Sequence, residues 1–281
     1  MRHPTLVISM VGLMVLLTGC ATSGVDTTAS AKNRKASHPA PADLVAKNRP
    51  IAVVVKENQP LPDEVPTGAH AIPNSQVVVS DSPEIDTEAL KKAETKEILQ
   101  IYVDDHVKYA LGQALKSQPN AERWRIDPSE THTPKLELTP VVHFVPDEFE
   151  RSSLYLTVRA RLTNESGKEI WSSRYSYLYP ESRKIIGPGG WTDQGGEKFK
   201  RALSEGFRSV SRVILRDTGQ HAAWTITPAT VKSKFLGQTG RTELKGEILQ
   251  ENDEEIIFRA KGPGLSRGIN ILPKFEVEVR R

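Results

Sequence analysis

The feature that most constrains the fold is a strict alternation of apolar and polar side chains over residues 154–162. Leucine, valine and alanine occupy the even positions, while tyrosine, threonine and arginine occupy the odd ones. An alternation with a period of two is typical of a β-strand that buries one face. Residues 164–167 have the composition of a turn, and residues 170–179 are predicted to return as a second strand. The sequence therefore predicts an antiparallel hairpin.

Further strands are predicted on the amino-terminal side of this hairpin. They cover residues 51–55, 124–126 and 136–145, and Pro140 is expected to interrupt the last of them. A short run of valines over residues 77–79 is a further candidate strand.

Two helices are predicted from apolar residues that recur every three or four positions. The first is expected to begin at Ser82 or near Asp86 and to end near Lys116. The second covers residues 196–217, and Gly219 is its predicted C-cap. Together these elements predict an α+β domain over residues 51–219, in which an antiparallel sheet carries two helices on one face.

The carboxyl-terminal segment, residues 220–281, differs in composition from the rest. Short β-rich runs at residues 231–236, 243–249, 255–260, 269–272 and 275–279 are separated by Gly, Asn or Pro. They predict a small all-β module, similar to SH3-like folds. The alternative is that these strands extend or cover the first domain, since so small a module is marginally stable alone.

The amino terminus begins with an apolar run over residues 6–17, which is too short to span a membrane and is typical of a signal peptide. Leu17, Thr18 and Gly19 precede Cys20, the only cysteine of the chain. This run resembles the lipobox of bacterial lipoproteins. The resemblance implies that a signal peptide, residues 1–19, is removed and that Cys20 receives a diacylglycerol group and an acyl chain such as palmitate.

The residue after Cys20 bears on the membrane that holds the protein. In bacterial lipoproteins an Asp at this position commonly retains the protein in the inner membrane, and this chain has Ala21. The resemblance therefore implies the outer membrane, with the protein on its periplasmic face. Residues 20–50, polar and poor in large apolar side chains, are expected to form the lipidated cysteine and a disordered tether.

Several classes of chemistry are disfavoured by the sequence. With Cys20 lipidated there is no thiol for a disulfide, a zinc site or cysteine catalysis. A net charge of +3 on 281 residues is not a nucleic-acid signature. Ser266 lies in a Gly-x-Ser-x-Gly motif, but no histidine follows it. We therefore expect no catalytic residue, metal site or cofactor, and no nucleic-acid partner.

Two sets of side chains are candidates for an interaction surface. An aromatic set lies on one face of the predicted strand 170–179, and could stack on a glycan or a partner protein or belong to the core. A basic set follows one face of the second helix, and could contact an anionic partner or be a solvated surface. The candidate residues are Trp171, Tyr175, Tyr177, Tyr179, Arg201, Arg208, Arg212 and Arg216.

The lipobox, the polar tether, the strand containing Trp171 and the amphipathic helix resemble accessory lipoproteins of envelope machines. Families of this kind are the curli-secretion, penicillin-binding-protein activator and ABC-transport auxiliary lipoproteins. The resemblance implies a non-enzymatic accessory or assembly factor in transport, secretion or surface biogenesis, with an envelope protein as partner. The alternative is a module that binds peptidoglycan or another glycan.

Overall fold

Strands from both halves of the chain form one mixed sheet. The computed structural model describes residues 51–56, 70–72, 103–117, 121–126, 133–147, 151–185, 187–219, 224–238, 240–262 and 264–281. Cys20, the signal peptide, the tether, the run 77–79 and the predicted helix start near Asp86 lie outside these residues.

Two helices and eleven strands are present in the described part of the chain. The helices are α1 (Val103–Lys116) and α2 (Asp193–Thr218). The strands are β1 (Ile51–Val55), β2 (His70–Ile72), β3 (Trp124–Ile126), β4 (Lys135–Pro146), β5 (Ser152–Thr163), β6 (Glu169–Arg183), β7 (Thr227–Lys234), β8 (Arg241–Glu251), β9 (Glu255–Ala260), β10 (Gly268–Pro273) and β11 (Glu278–Arg280).

The order of strands across the sheet is β11, β7, β8, β9, β10, β6, β5, β4, β1, β3, and β2 pairs with β4 as well. The predicted hairpin is confirmed, since β5 and β6 pair antiparallel over almost their full length. Three pairs are parallel: β1 with β3, β1 with β4, and β10 with β6.

One face of β4, β5 and β6 packs beneath the two helices in a large apolar core. The even-numbered positions 154–162 of β5 all belong to this core, as the alternation predicted. Gly206 sets how closely α2 approaches, because a Cβ at this position would collide with Leu156 and would lie 2.9 Å from Cδ1 of Tyr177. A glycine inside a helix normally costs about 1 kcal/mol. Here it permits the close contact between helix and sheet.

A second apolar core lies on the opposite face of the sheet. Tyr155 of β5 and Leu178 of β6 pack there with side chains of the carboxyl-terminal strands, among them Phe235 and Phe258. The rings of these two phenylalanines lie 6.0 Å apart. The carboxyl-terminal strands contribute to both cores, since Leu249, Ile257, Ile269 and Ile271 belong to the core beneath the helices.

The predicted fold class, an α+β domain with a separate SH3-like module, is wrong. The carboxyl-terminal strands continue the main sheet, because β10 pairs in parallel with β6, with Ile269 opposite Tyr175. Every residue of β10 is buried, as is typical of a central strand covered on both faces. The alternative, that these strands extend the sheet of the first domain, agrees with the structure. Side-chain alternation reports which face of a strand is buried but does not identify its neighbours, so the pairing of β10 with β6 was not predicted. The domain boundary at residue 219 stays a prediction.

The predicted interruption of β4 at Pro140 is also wrong. The Leu138 carbonyl accepts a 2.8 Å hydrogen bond from the Lys56 N–H, so even-numbered residues of β4 direct their backbone polar groups toward β1 and β2. Pro140 lies between the residues that pair with β1 and those that pair with β2. Its missing N–H therefore costs no ladder hydrogen bond among the described strands.

The structure gives more exact bounds for two of the predicted elements. The predicted strand 275–279 begins instead with a 3₁₀ turn, Lys274–Glu276, which precedes β11. The bounds of α2 include Asp193, but Gln194, Gly195 and Gly196 have positive φ angles of 54°, 67° and 74° and form a left-handed turn, so the regular helix begins after Gly196, close to its predicted start. Gly219 is the C-cap as predicted, with an extended backbone rather than a left-handed one.

Candidate functional site

The four aromatic candidates lie on the face of β6 that packs against α2. Tyr175 is fully buried and Trp171 is 6% exposed, so both rings belong to the core beneath the helix. Tyr177 and Tyr179 are half-buried at the edge of the same interface, with ring centroids 6.4 Å apart. The structure therefore places the aromatic set between helix and sheet.

A buried carboxylate, Asp217, closes one end of this interface. It lies in the last turn of α2 and its side chain has no exposed surface. The Tyr175 hydroxyl donates to its Oδ2 at 2.7 Å, and the Trp224 indole N–H donates to its Oδ1 at 3.1 Å. A guanidinium nitrogen of Arg259 lies 3.5 Å from Oδ1. Asp217 thus joins α2 to β6, to β9 and to the segment that precedes β7.

The electrostatic balance at Asp217 decides its protonation. Burial raises the pKa of its carboxyl group, while the hydrogen bonds from Tyr175 and Trp224 and the charge of Arg259 oppose that rise. Burial, and then the charge and hydrogen bond of Asp217, raise the pKa of Tyr175 well above its usual value. Tyr175 therefore stays a hydrogen-bond donor at neutral pH.

The network extends from Asp217 to the surface across the carboxyl-terminal strands. Arg259 of β9 lies directly opposite Glu247 of β8, and the two side chains approach to 3.3 Å. Lys261 lies 3.2 Å from the other oxygen of Glu247. These pairs lower the pKa of Glu247 despite its partial burial. Charges of opposite sign thus alternate from the core outward.

Arg216 covers this network from the helix. Its guanidinium lies 4.0 Å from the centre of the Trp224 ring, in cation–π geometry. The same group donates a hydrogen bond to the side-chain oxygen of Gln250 on β8. Arg216 is therefore a contact between α2 and the carboxyl-terminal strands and not an outward-facing cation.

The other end of the interface is organised by a second carboxylate, Glu205. It accepts hydrogen bonds from the Tyr179 hydroxyl at 3.2 Å and from Arg201 at 2.8 Å. Burial and the charge of Glu205 raise the pKa of Tyr179 to about 12. Arg201 is highly exposed in spite of this pair.

The two remaining arginines differ in their surroundings. Arg212 donates to Oε1 of Glu255, at the start of β9, while Arg208 is exposed on the outer face of α2. Six of the eight candidates thus lie at the contacts of α2 with the sheet, while Arg208 and Arg201, which pairs with Glu205 of the same helix, are exposed. The two sets, aromatic and basic, form one arrangement that can position a basic helix surface for binding.

Sequence reasoning missed the residues that connect the two sets: Glu205, Asp217, Trp224 and Arg259. One signal was present at Asp217, because a carboxylate in the last turn of a helix faces the negative end of the helix dipole. Another was Arg259, a cation within the apolar run of β9. Neither pattern identifies the partner, which comes from a distant part of the chain.

Ser266 and His106 lie apart from the contacts of α2 with β6 and β9. Ser266 is buried in a 3₁₀ turn, Gly264–Ser266, that leads into a strand. His106 of α1 faces Ser204 of α2, with 3.5 Å between ring nitrogen and hydroxyl oxygen. Burial lowers the pKa of His106. Among the described residues, no three His, Cys, Asp or Glu side chains are grouped as metal ligands would be.

No helix within the described ranges combines the length and the apolar character needed to cross a bilayer. Comparison of the chain with protein-family models, with curated proteins and with solved structures finds no match. Its function has therefore to be argued from its own residues.

Proposed function

We propose that this chain is a lipoprotein anchored to the periplasmic face of the outer membrane, where it serves as a non-enzymatic accessory or assembly factor of a cell-envelope process. One observation carries this proposal: the only cysteine of the chain, Cys20, ends the run Leu-Thr-Gly-Cys directly after a short apolar segment. An acylated cysteine with several buried chains suffices for stable anchoring.

The candidate site supports binding over catalysis. Each of its two carboxylates, Glu205 and Asp217, accepts a hydrogen bond from a tyrosine and is paired with an arginine. These groups hold α2 in place on the sheet. Arg208 projects from the helix that these groups fix, and so presents positive charge on a rigid support, while the exposed Arg201 shares its charge with Glu205. An envelope protein with an acidic surface fits this arrangement.

The anchor is tested by mass spectrometry of the protein purified from bacterial membranes. We expect the mature chain to begin at an acylated Cys20, and Cys20→Ser to release the protein from the membrane fraction. Ala21→Asp, with Ala21→Ser as its matched control, is expected to move the protein to the inner membrane. An unmodified thiol at Cys20 in the native protein would overturn the proposal.

The accessory role is tested by photo-crosslinking in cells from position 208, with position 168, in the exposed turn between β5 and β6, as control. We expect one envelope protein to crosslink from 208 alone and to be lost when Arg212 is changed to Glu in the same chain. Equal crosslinking from both positions contradicts the proposed surface. Sedimentation of the protein with purified peptidoglycan would favour the glycan-binding alternative instead.

A further inference from the structure

One aromatic side chain of the helical layer is exposed to solvent. Tyr109 of α1 is 63% exposed, although its neighbours Val107 and Ala110 belong to the core beneath the helices. The other large hydrophobic side chains of comparable exposure among the described residues are Ile226 and Phe275, and both lie in the carboxyl-terminal segment. Tyr109 is therefore the candidate anchor for a partner on the helix side of the sheet.

The two helices run in the same direction. Strands β1, β3, β4 and β6 are all parallel, because the antiparallel steps from β4 to β5 and from β5 to β6 cancel. The hydrogen bonds of Tyr179 and Tyr175 go to successively later turns of α2, so α2 runs against β6. Gly112, one turn before the end of α1, lies beside Ile126, the last residue of β3, so α1 also runs against the parallel strands.

The contact between His106 and Ser204 fixes which turns of the two helices lie side by side. One turn further along, the residues that face solvent are Tyr109 on α1 and Arg208 on α2. The axes of packed helices are about 8–10 Å apart. Tyr109 and Arg208 therefore border the same groove on the outer surface of the helix pair.

The carboxyl-terminal halves of the two helices are rich in cations. No acidic residue follows Asp105 in α1, and only the buried Asp217 follows Glu205 in α2. Glu255 of β9 reaches this surface and pairs with Arg212. The cations of these halves are Lys108, Lys116, Arg208, Arg212 and Arg216. Positive charge thus exceeds negative charge around the groove even when Asp105, Glu205 and Glu255 are all counted with it.

We propose that Tyr109 and Arg208 form the centre of one protein-docking surface, whose partner packs an apolar side chain beside the tyrosine ring and pairs a carboxylate with the arginine. This inference rests on the function proposed above, and it adds α1 and an aromatic anchor to the surface. Tyrosine and arginine are among the side chains that most often dominate binding energy at protein interfaces. The excess of positive charge favours an acidic partner.

The test places a photo-crosslinking side chain in cells at position 113, one turn beyond Tyr109 on α1, so that Tyr109 and Arg208 stay intact. We expect position 113 to crosslink the same envelope protein as position 208. Tyr109→Ser and Arg208→Gln should each lower the yield from position 113 at least about tenfold, whereas Tyr109→Phe should keep it.

The matched control is Phe275→Ser. It removes a similarly exposed ring from the 3₁₀ turn that precedes β11. Because isolated exposed apolar side chains are common on protein surfaces, this variant should change the yield from position 113 less than about twofold.

The outcomes separate this inference from the function on which it rests. Crosslinking from position 208 but not from 113, or crosslinking from 113 that Tyr109→Ser leaves unchanged, overturns the docking surface and leaves the accessory role standing. Crosslinking from neither position overturns both. A product made of two copies of this chain, or an adduct with phospholipid, also overturns the inference, because it assigns the surface to a different occupant.

The acidic character of the partner is tested on the crosslinked segment, which mass spectrometry identifies. We expect an Asp or Glu within that segment. Its replacement by Lys should abolish crosslinking to the parent chain and restore crosslinking to Arg208→Glu. A segment without an acidic side chain, or a Lys substitution that leaves the yield unchanged, overturns the pairing with Arg208.

Discussion

The Tyr175 hydroxyl donates a 2.7 Å hydrogen bond to Oδ2 of Asp217, which joins the centre of β6 to the last turn of α2. Both side chains are buried, and they are 42 positions apart in the sequence. A hydrogen bond to a buried charged group contributes more to stability than one between neutral groups. This contact therefore links the carboxyl-terminal end of the long helix to the sheet.

Removal of this hydroxyl is expected to destabilise the fold. We predict that Tyr175→Phe lowers the free energy of unfolding by about 2 kcal/mol, because Asp217 loses a buried donor. The control is Tyr179→Phe, which removes the half-exposed hydrogen bond to Glu205 and should cost less than about 1 kcal/mol. Urea unfolding of both variants tests this. Equal losses in the two variants would show that burial of the acceptor is not what gives the Tyr175 bond its strength.

The glycine inside α2 provides a second prediction. We expect Gly206→Ala to destabilise the protein by about 2 kcal/mol, because the added Cβ collides with Leu156 and overpacks the interface. In α1, by contrast, the only contact of a Cβ at Gly112 with the described residues would be with Cδ1 of Ile126, at 3.9 Å. Gly112→Ala should therefore stabilise the protein by about 0.5 to 1 kcal/mol through helix propensity. Thermal unfolding that shifts in the same direction for both variants contradicts this account.

The first turn of α2 provides a third prediction. Gln194 has a φ of 54°, in the left-handed region that a residue with a side chain occupies at a cost of about 1 kcal/mol. We expect Gln194→Gly to raise the free energy of unfolding by up to about 1 kcal/mol. Gly195→Ala, at a φ of 67° in the same turn, should lower it. Chemical denaturation of the two variants measures both effects, and a loss of stability in Gln194→Gly would contradict the expected strain.

The buried His143 predicts how stability depends on pH. Burial lowers its pKa from 6.5 to about 4 in the folded state, so the unfolded chain binds the proton more tightly. The stabilisation that comes from the lowered pKa of His143 is fully present above pH 6.5. It is lost as the pH falls toward 4, and the free energy of unfolding decreases by about 3 kcal/mol in total. Denaturant unfolding at pH 7, 5.5 and 4 measures the loss.

The matched variant for this experiment is His143→Phe, which has no titrating group at the same buried position. The pKa of Asp217 is raised, so the folded state binds this proton more tightly than the unfolded chain does. Its contribution to stability therefore increases as the pH falls toward the usual carboxyl pKa, which is opposite to the effect of His143. That effect is common to both proteins, so the difference between them isolates His143. A difference that does not change between pH 7 and pH 4 rules out the histidine as the cause.

Much of the local structure could be predicted from the sequence. Alternation predicted β5 and its turn to β6, and the three and four spacing predicted α2 to within a few residues. The candidate residues Tyr175 and Arg216 were found by the same periodicities. Their partners were not, because Asp217 and Trp224 meet them only after the helix has packed on the sheet.

The sequence by itself determined most of the strands, the helix α2 and the apolar faces of β5 and α2, since these follow from spacing along one segment. It also contains the Leu-Thr-Gly-Cys run on which the proposed anchor depends. The tertiary structure alone decided that β10 pairs with β6, that Asp217 meets Arg259, and that His106 faces Ser204. Strand order and register result from the packing of the whole chain, and no local pattern of side chains specifies which distant strand becomes the neighbour.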